Sequence, residues 1–351
     1  MPIIRPNRRR FIQTASALGA AASFGAPFIA SSARAAGQLV FAGFGGAYQE
    51  GQAKALFEPF EKQTGIKIVQ TTGVDLAKLR AQVQSGNLEW DFLALPDRVR
   101  YTAVRDELVM PLDYSVIDAS KIVKALVTPH AVGCVTIPML MAYSTKHYTP
   151  EKAPKTWFDY WNIDGFPGQR GMYNGAVYTL EFALIADGVP KDKLYPLDLD
   201  RAFRSLDKIK SKLIWWSQMA QPGPMLAAGE IHVTPSVRAI TAMLAGEPLG
   251  VSYDGAALTY EAWVVPKGTK NAANAMKFIN FALQARPQAE LTKYIAYGPT
   301  NTEATDFIDP KARPFLSSNP ENAAKGFLLS GDYWGPNLDK VTERWNEWRL
   351  R

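Results

Sequence analysis

The sequence predicts an exported α/β protein of two units, each a mainly parallel sheet flanked by helices. Three observations predict it: a basic, small-residue leader, a regular alternation of short apolar runs with amphipathic stretches from Gln38 onward, and a second such alternation after residue 144.

The leader carries Arg5, Arg8, Arg9 and Arg10, then Phe11, Ile12 and a run of Ala, Gly, Ser and Phe up to Ala30. It is too short and too weakly apolar for a spanning helix. Ala33-Arg34-Ala35 supplies small residues for a signal peptidase, so residues 1–35 read as a signal peptide cleaved after Ala35. Arg8-Arg9 followed by Phe11-Ile12 favours the twin-arginine route over general secretion; either route places the mature chain in the periplasm. Positions 1–40 contain no Cys to carry a lipid anchor. Five of the positive charges lie in the leader, so its removal takes the net charge from +6 to +1. No basic block remains, which argues against nucleic acid and anionic membranes as partners. Cys134 is the one cysteine, in an apolar context, and reads as a small buried hydrophobe.

Within the first unit, Leu39–Phe44 reads as a strand and Tyr48–Thr64 as a helix that Pro59 kinks or restarts. Strands at Ile66–Gln70 and Phe92–Leu95 and helices at Asp75–Ser85 and Asp97–Leu108 complete a βαβ series. After an extended stretch from Val132 to Ser144, helices are predicted over Thr179–Ala186 and Asp198–Lys212, with strands at Leu213–Trp216, Ile231–Thr234 and Leu249–Ser252. The chain then gives a strand at Ala262–Val265, a helix over Ala272–Leu283 and an amphipathic helix around Leu338–Arg349.

Several chemistries lack their signatures. His130, His147 and His232 have no ligand-type neighbour at metal-binding spacing, although non-local assembly stays open, and neither a nucleophile elbow nor a Walker-type loop occurs. The loop Gly43-Phe44-Gly45-Gly46-Ala47-Tyr48 has Tyr where a dinucleotide fingerprint needs its third Gly. It reads either as a plain tight turn or as a helix entry whose free amides, around Gly46, hold an anion or a ligand carbonyl. No cofactor is expected.

In order along the chain stand Phe57-Glu58-Pro59-Phe60-Glu61-Lys62-Gln63-Thr64-Gly65-Ile66, Trp90-Asp91, Thr156-Trp157-Phe158-Asp159-Tyr160-Trp161, Leu180-Glu181-Phe182-Ala183-Leu184, Ala186-Asp187-Gly188-Val189, Trp263-Val264-Val265-Pro266-Lys267-Gly268, Ala275–Phe281 and Tyr297-Gly298-Pro299-Thr300-Asn301. In these segments the sequence resembles the periplasmic binding proteins of the spermidine/putrescine type. The resemblance implies the two-lobed type II periplasmic binding protein fold, with hinge strands crossing near Ala142–Ser144 and Glu261–Trp263. The lobes would comprise 36–142 plus 262–305, and 143–261 plus 306–351.

The family further implies a non-catalytic receptor of an ABC importer that holds a small solute in the interlobe cleft and delivers it to a membrane permease; a monomer is expected. By alignment back from Pro266, the amine-pairing carboxylate of polyamine-binding relatives falls on Glu261, and Tyr297 matches one aromatic of the ligand box. Tyr48 or Phe44 supplies another, and Tyr260 is a weaker candidate. Where relatives place a second acid, this chain has Tyr178, with Asn174 at a further polar position, and Arg238 follows the strand that precedes it. A polyamine or other organic amine is favoured, while fewer acids and a nearby Arg keep an amino-acid-like zwitterion or a carboxylate open. Each residue also has a plainer reading: Glu261 in an internal salt bridge, Arg238 on a solvated face, Tyr297 packed on the surface, Asp97 as an N-cap after Pro96. Asp97 is retained among the ligand candidates. A folded exported enzyme and an exported protein-binding scaffold are the competing functions.

Overall fold

The computed structural model describes residues 37–351, so the leader and its cleavage site lie outside the described residues. The described chain opens with β1 (Gln38–Gly43), β2 (Lys67–Thr72) and β3 (Phe92–Pro96), followed by the short β4 (Val127–Thr128) and the long β5 (Ala131–Ser144). Then come β6 (Arg170–Tyr173), β7 (Leu213–Trp216) and β8 (Val233–Ser236), followed by β9 (Leu249–Val264) and β10 (Phe327–Leu328). All ten join one sheet in the order β2-β1-β3-β9-β5-β8-β6-β7, with β4 on β5 and β10 on β9.

The first three strands pair in parallel, as do β6 with β7 and β8, and these two parallel blocks are joined by β5 and β9, which run antiparallel to each other, β9 antiparallel to β3 and β5 antiparallel to β8. Parallel strands need crossover helices on both faces, which is why Leu39–Ala42 is apolar without alternation and almost wholly buried.

The crossing strands pass between cores. On β5, Ala131–Ile137 belongs to a core with Phe41, Phe57, Phe92 and Trp263, whereas Met139, Met141 and Tyr143 belong to another with Trp157, Phe182, Trp334 and Trp345. On β9 the same passage occurs between Ala257 and Tyr260. Cys134 is buried and its thiol donates to the Glu261 carbonyl at 3.2 Å.

Most expected elements stand within a few residues of their predicted places, and the departures have local causes. The helix expected to kink at Pro59 runs from Gly46 to Thr64 and loosens into a π-helical turn at Ala53–Phe57. Proline donates no N–H and crowds the carbonyl four residues back, and the wider turn immediately precedes it. Strand β9 is continuous from Leu249 to Val264, where two separate strands were expected. Gly255, at φ +69°, lies within it. The last helix starts at Gly331, seven residues before its predicted beginning, capped by the Ser330 hydroxyl accepting from the Tyr333 amide at 3.1 Å, and it carries Pro336 internally.

Candidate functional site

A cavity of about 430 Å³ opens where β5 and β9 change cores. Ile137 of β5 and Thr259, Tyr260 and Glu261 of β9 form its floor. The loop after β1 and the helix it enters contribute Phe44, Gly45 and Tyr48, the end of β3 contributes Pro96, the helix after it contributes Arg98, and Tyr297 enters from the turn after the helix Ala285–Leu291. From the segments after β6, β7 and β8 come Tyr178, Gln218, Met219, Ala220, Val237 and Arg238. Loops at the carboxyl ends of parallel strands supply most of these residues, the usual place for ligands in open α/β sheets.

Glu261 is buried, and burial pushes its carboxyl up to about 7, against the partial opposition of the Tyr48 hydroxyl and the Arg98 guanidinium. Its Oε2 and the Tyr48 hydroxyl are both buried and close enough for the hydroxyl to act on the carboxyl, yet neither atom meets full hydrogen-bond geometry with a protein group among the described residues. A buried carboxylate oxygen and a buried hydroxyl without well-formed hydrogen bonds each carry a desolvation cost that a polar ligand would relieve. Tyr48 packs edge-to-face on Tyr297, ring centroids 5.4 Å apart, making an aromatic corner beside the acid. Burial raises the Tyr297 hydroxyl pKa, and the adjacent Arg238 guanidinium works the other way.

Arg238 precedes the short helix Ala239–Leu244; its amide donates to Ser236 Oγ at 3.2 Å and its buried Nε has no hydrogen-bond partner. Arg98 occupies the second position of the helix Asp97–Arg105. Among the described residues, neither arginine forms an ion pair with a protein carboxylate, unlike Arg100 with Asp97 or Arg201 with Asp187.

Tyr178 sits on the far wall in a backbone conformation of φ +74°, ψ −50°, immediately before the regular helix over 179–186. Such a conformation costs a β-carbon-bearing residue on the order of 1–3 kcal/mol and persists only where surrounding contacts dictate it. Burial raises the Tyr178 hydroxyl pKa, and Arg98 partly offsets the rise.

The structure therefore brings together Glu261, Tyr297, Tyr48, Tyr178 and Arg238 of the sequence-derived candidates. Three others lie elsewhere. Asn174 is exposed and its Oδ1 accepts from Arg349 Nε at 3.0 Å, outside the cavity wall. Asp97 is the first helical residue, with Pro96 in the cap position, and its Oδ1 accepts from Arg100 Nε at 2.8 Å and the Tyr260 hydroxyl at 2.5 Å. It supports a cavity residue without lining the cavity. Gly46, at φ +64°, is exposed and does not line the cavity; the neighbouring Gly45 amide is already taken by Gln49 Oε1 at 2.8 Å. The glycines of this loop thus serve backbone shape: a β-carbon at Gly43 would collide with Phe41 and Gln49, and Gly45 and Gly46 adopt positive φ.

Sequence reasoning missed Arg98, Gln218 and Met219. Arg98 had a usable signal, since it stands two residues beyond the end of an apolar strand, where cleft residues gather. The fold also stacks His147 on His232, ring centroids 3.6 Å apart, a juxtaposition invisible in the chain order. Among the described residues, no group of three or more His, Cys, Asp or Glu is arranged to hold a metal, and no helix is long and apolar enough to cross a membrane.

Comparison with known proteins agrees with this architecture. The γ-aminobutyric acid-binding protein of Pseudomonas aeruginosa is 32% identical over 93% of this chain and 95% of its own. The spermidine/putrescine-binding periplasmic protein of Escherichia coli K12 is 21% identical over 73% of this chain and 76% of its own. A solved structure described as a GABA receptor superposes with a TM-score of 0.82 at 35% identity, covering 89% of this chain and 97% of the other. These relatives are solute-binding receptors of the type II periplasmic binding protein fold. Residues 55–324 match the model of the bacterial extracellular solute-binding proteins, and the chain belongs to that family.

Proposed function

We propose that the chain is the periplasmic receptor of an ABC importer and that its solute is a small zwitterion with an amine at one end and a carboxylate at the other. The charge inventory of the cavity carries the reading: one buried acid, Glu261, with an oxygen that lacks a well-formed hydrogen bond, and two arginines, Arg98 and Arg238, that form no ion pair with a carboxylate among the described residues. An amine against Glu261 gains a charge-assisted hydrogen bond, and a carboxylate against the guanidiniums gains another pair. Tyr48, Tyr178 and Tyr297 would pack the intervening methylenes. The γ-aminobutyric acid-binding relative supports this class of solute.

A polyamine is the second reading, favoured by the acid with its Tyr48–Tyr297 corner and by the spermidine/putrescine-binding relative. It would bring two or more cations to a cavity with one acid and two arginines, and the charge balance weighs against it. In either case the lobes are expected to close about β5 and β9. The mature chain is expected to act as a periplasmic monomer that docks on a membrane permease.

A thermal-shift panel of ω-amino acids, α-amino acids, polyamines, monoamines and small carboxylates tests the reading. A ligand at a hundredfold excess over its Kd stabilises by about 2.7 kcal/mol, on the order of 4 °C here. A response confined to zwitterions is expected. A response only to polyamines transfers the assignment to the second reading, and a flat panel counts against the receptor itself.

A further inference from the structure

The C-terminal helix Gly331–Leu350 touches elements on both sides of the cavity within its first turn and a half. On one side Gly331 lies against Asp97 and Gly335 against Tyr101, so closely that a β-carbon at either position would overlap the Asp97 carboxylate or the Tyr101 ring. Asp97 and Tyr101 are one helical turn apart on the helix whose second residue is the cavity's Arg98. Asp97 also accepts from the hydroxyl of Tyr260, which lines the cavity. On the other side the fully buried Trp334 donates from Nε1 to Glu181 Oε1 at 2.6 Å, and the Tyr195 hydroxyl donates to the same oxygen at 2.8 Å. Glu181 stands three residues beyond Tyr178, whose backbone strain must be held by what surrounds it.

We propose that the first turns of this helix are a positioning element of the binding site: Gly331 and Gly335 seat the helix that carries Arg98, Trp334 seats the helix that follows Tyr178, and together they set the spacing of the two cavity walls. The glycines are required for contact, since interiors transmit strain instead of absorbing it. The Trp334–Glu181 bond gives the second wall a directional anchor that a ring alone would not. The consequence for binding rests on the cavity being the ligand site; the coupling between the walls does not.

The test is hydrogen exchange on the ligand-free protein, comparing Gly331→Ala and Trp334→Phe with wild type. Gly331→Ala is expected to speed exchange in both 97–105 and 178–186 while leaving the strand Lys67–Thr72 unchanged. Trp334→Phe, which keeps a ring and removes the donor, is expected to speed exchange in 178–186. Exchange altered only within the C-terminal helix overturns the proposal, as does a uniform rise that includes Lys67–Thr72. Calorimetry with 4-aminobutyrate then reads the effect on binding: a Kd at least tenfold higher is expected in Gly331→Ala, and a wild-type Kd also overturns the proposal. If 4-aminobutyrate fails to bind wild type, the zwitterion reading falls alone and the exchange result still decides.

Discussion

Glu261→Gln should weaken ligand binding and stabilise the ligand-free protein at the same time. The side chain keeps its shape and loses its charge. Against a ligand amine, losing a charge-assisted hydrogen bond costs about 1.5–3 kcal/mol, or about ten- to a hundredfold in Kd. In the ligand-free protein, burial raises the Glu261 pKa from its ordinary 4.5 to about 7. A raised folded-state pKa on an acid means that its contribution is fully favourable below 4.5 and is lost as pH rises through about 7. Above that pH the charged form costs up to about 3 kcal/mol. Removing the charge recovers part of this, so the variant's ligand-free melting temperature at pH 8 should exceed wild type by several degrees. Binding carries the opposite pH signature. A ligand cation pulls the Glu261 pKa down, so wild-type affinity should fall by about tenfold per unit as pH drops below 7, while the variant stays flat. Calorimetry from pH 5.5 to 8.5 with matched melting curves reads both effects. Unchanged affinity in Glu261→Gln, or a wild-type affinity that rises on acidification, would refute the placement of the amine.

The anionic end has its own signature. Arg98→Gln and Arg238→Gln should each raise the Kd for a zwitterion by about ten- to a hundredfold, and calorimetry with a matched monoamine should show no such loss. Tyr297→Ala should cost less, about 0.5–2 kcal/mol, if its ring only stacks on the ligand, as a titration of the same ligand would show. N-terminal sequencing of the exported form should begin at Ala36, and changing Arg8 and Arg9 to Lys should block export; normal export of that variant points to general secretion.

The fold was legible in the chain because its elements obey simple periods. The strand Leu213–Trp216 was predicted at its observed bounds and the helix over 179–186 as the regular part of Ala176–Ala186, since each is a strongly apolar run. The start of the last helix was not. Gly331, Gly335 and Pro336 read as breakers, whereas the glycines are chosen by contact with Asp97 and Tyr101, which is tertiary information. The cavity was partly legible for the same reason. Glu261 announced itself as an acid inside an apolar strand, and Tyr178 by departing from a family pattern. Arg98 and Asp97 are chain neighbours, yet a helix turns successive residues about 100° apart, so one lines the cavity and the other braces it. Asn174 looked like a cleft residue by position alone, and it turns outward toward Arg349.

The central claim is that the cavity reads a cation and an anion on one molecule. Putrescine and 4-aminobutyrate have similar reach and differ at one end, where an ammonium replaces a carboxylate. Calorimetry of both on the wild-type protein at pH 8 isolates that end. 4-Aminobutyrate should bind at least tenfold more tightly, because Arg98 and Arg238 would attract one terminus and repel the other. Tighter binding of putrescine would contradict it.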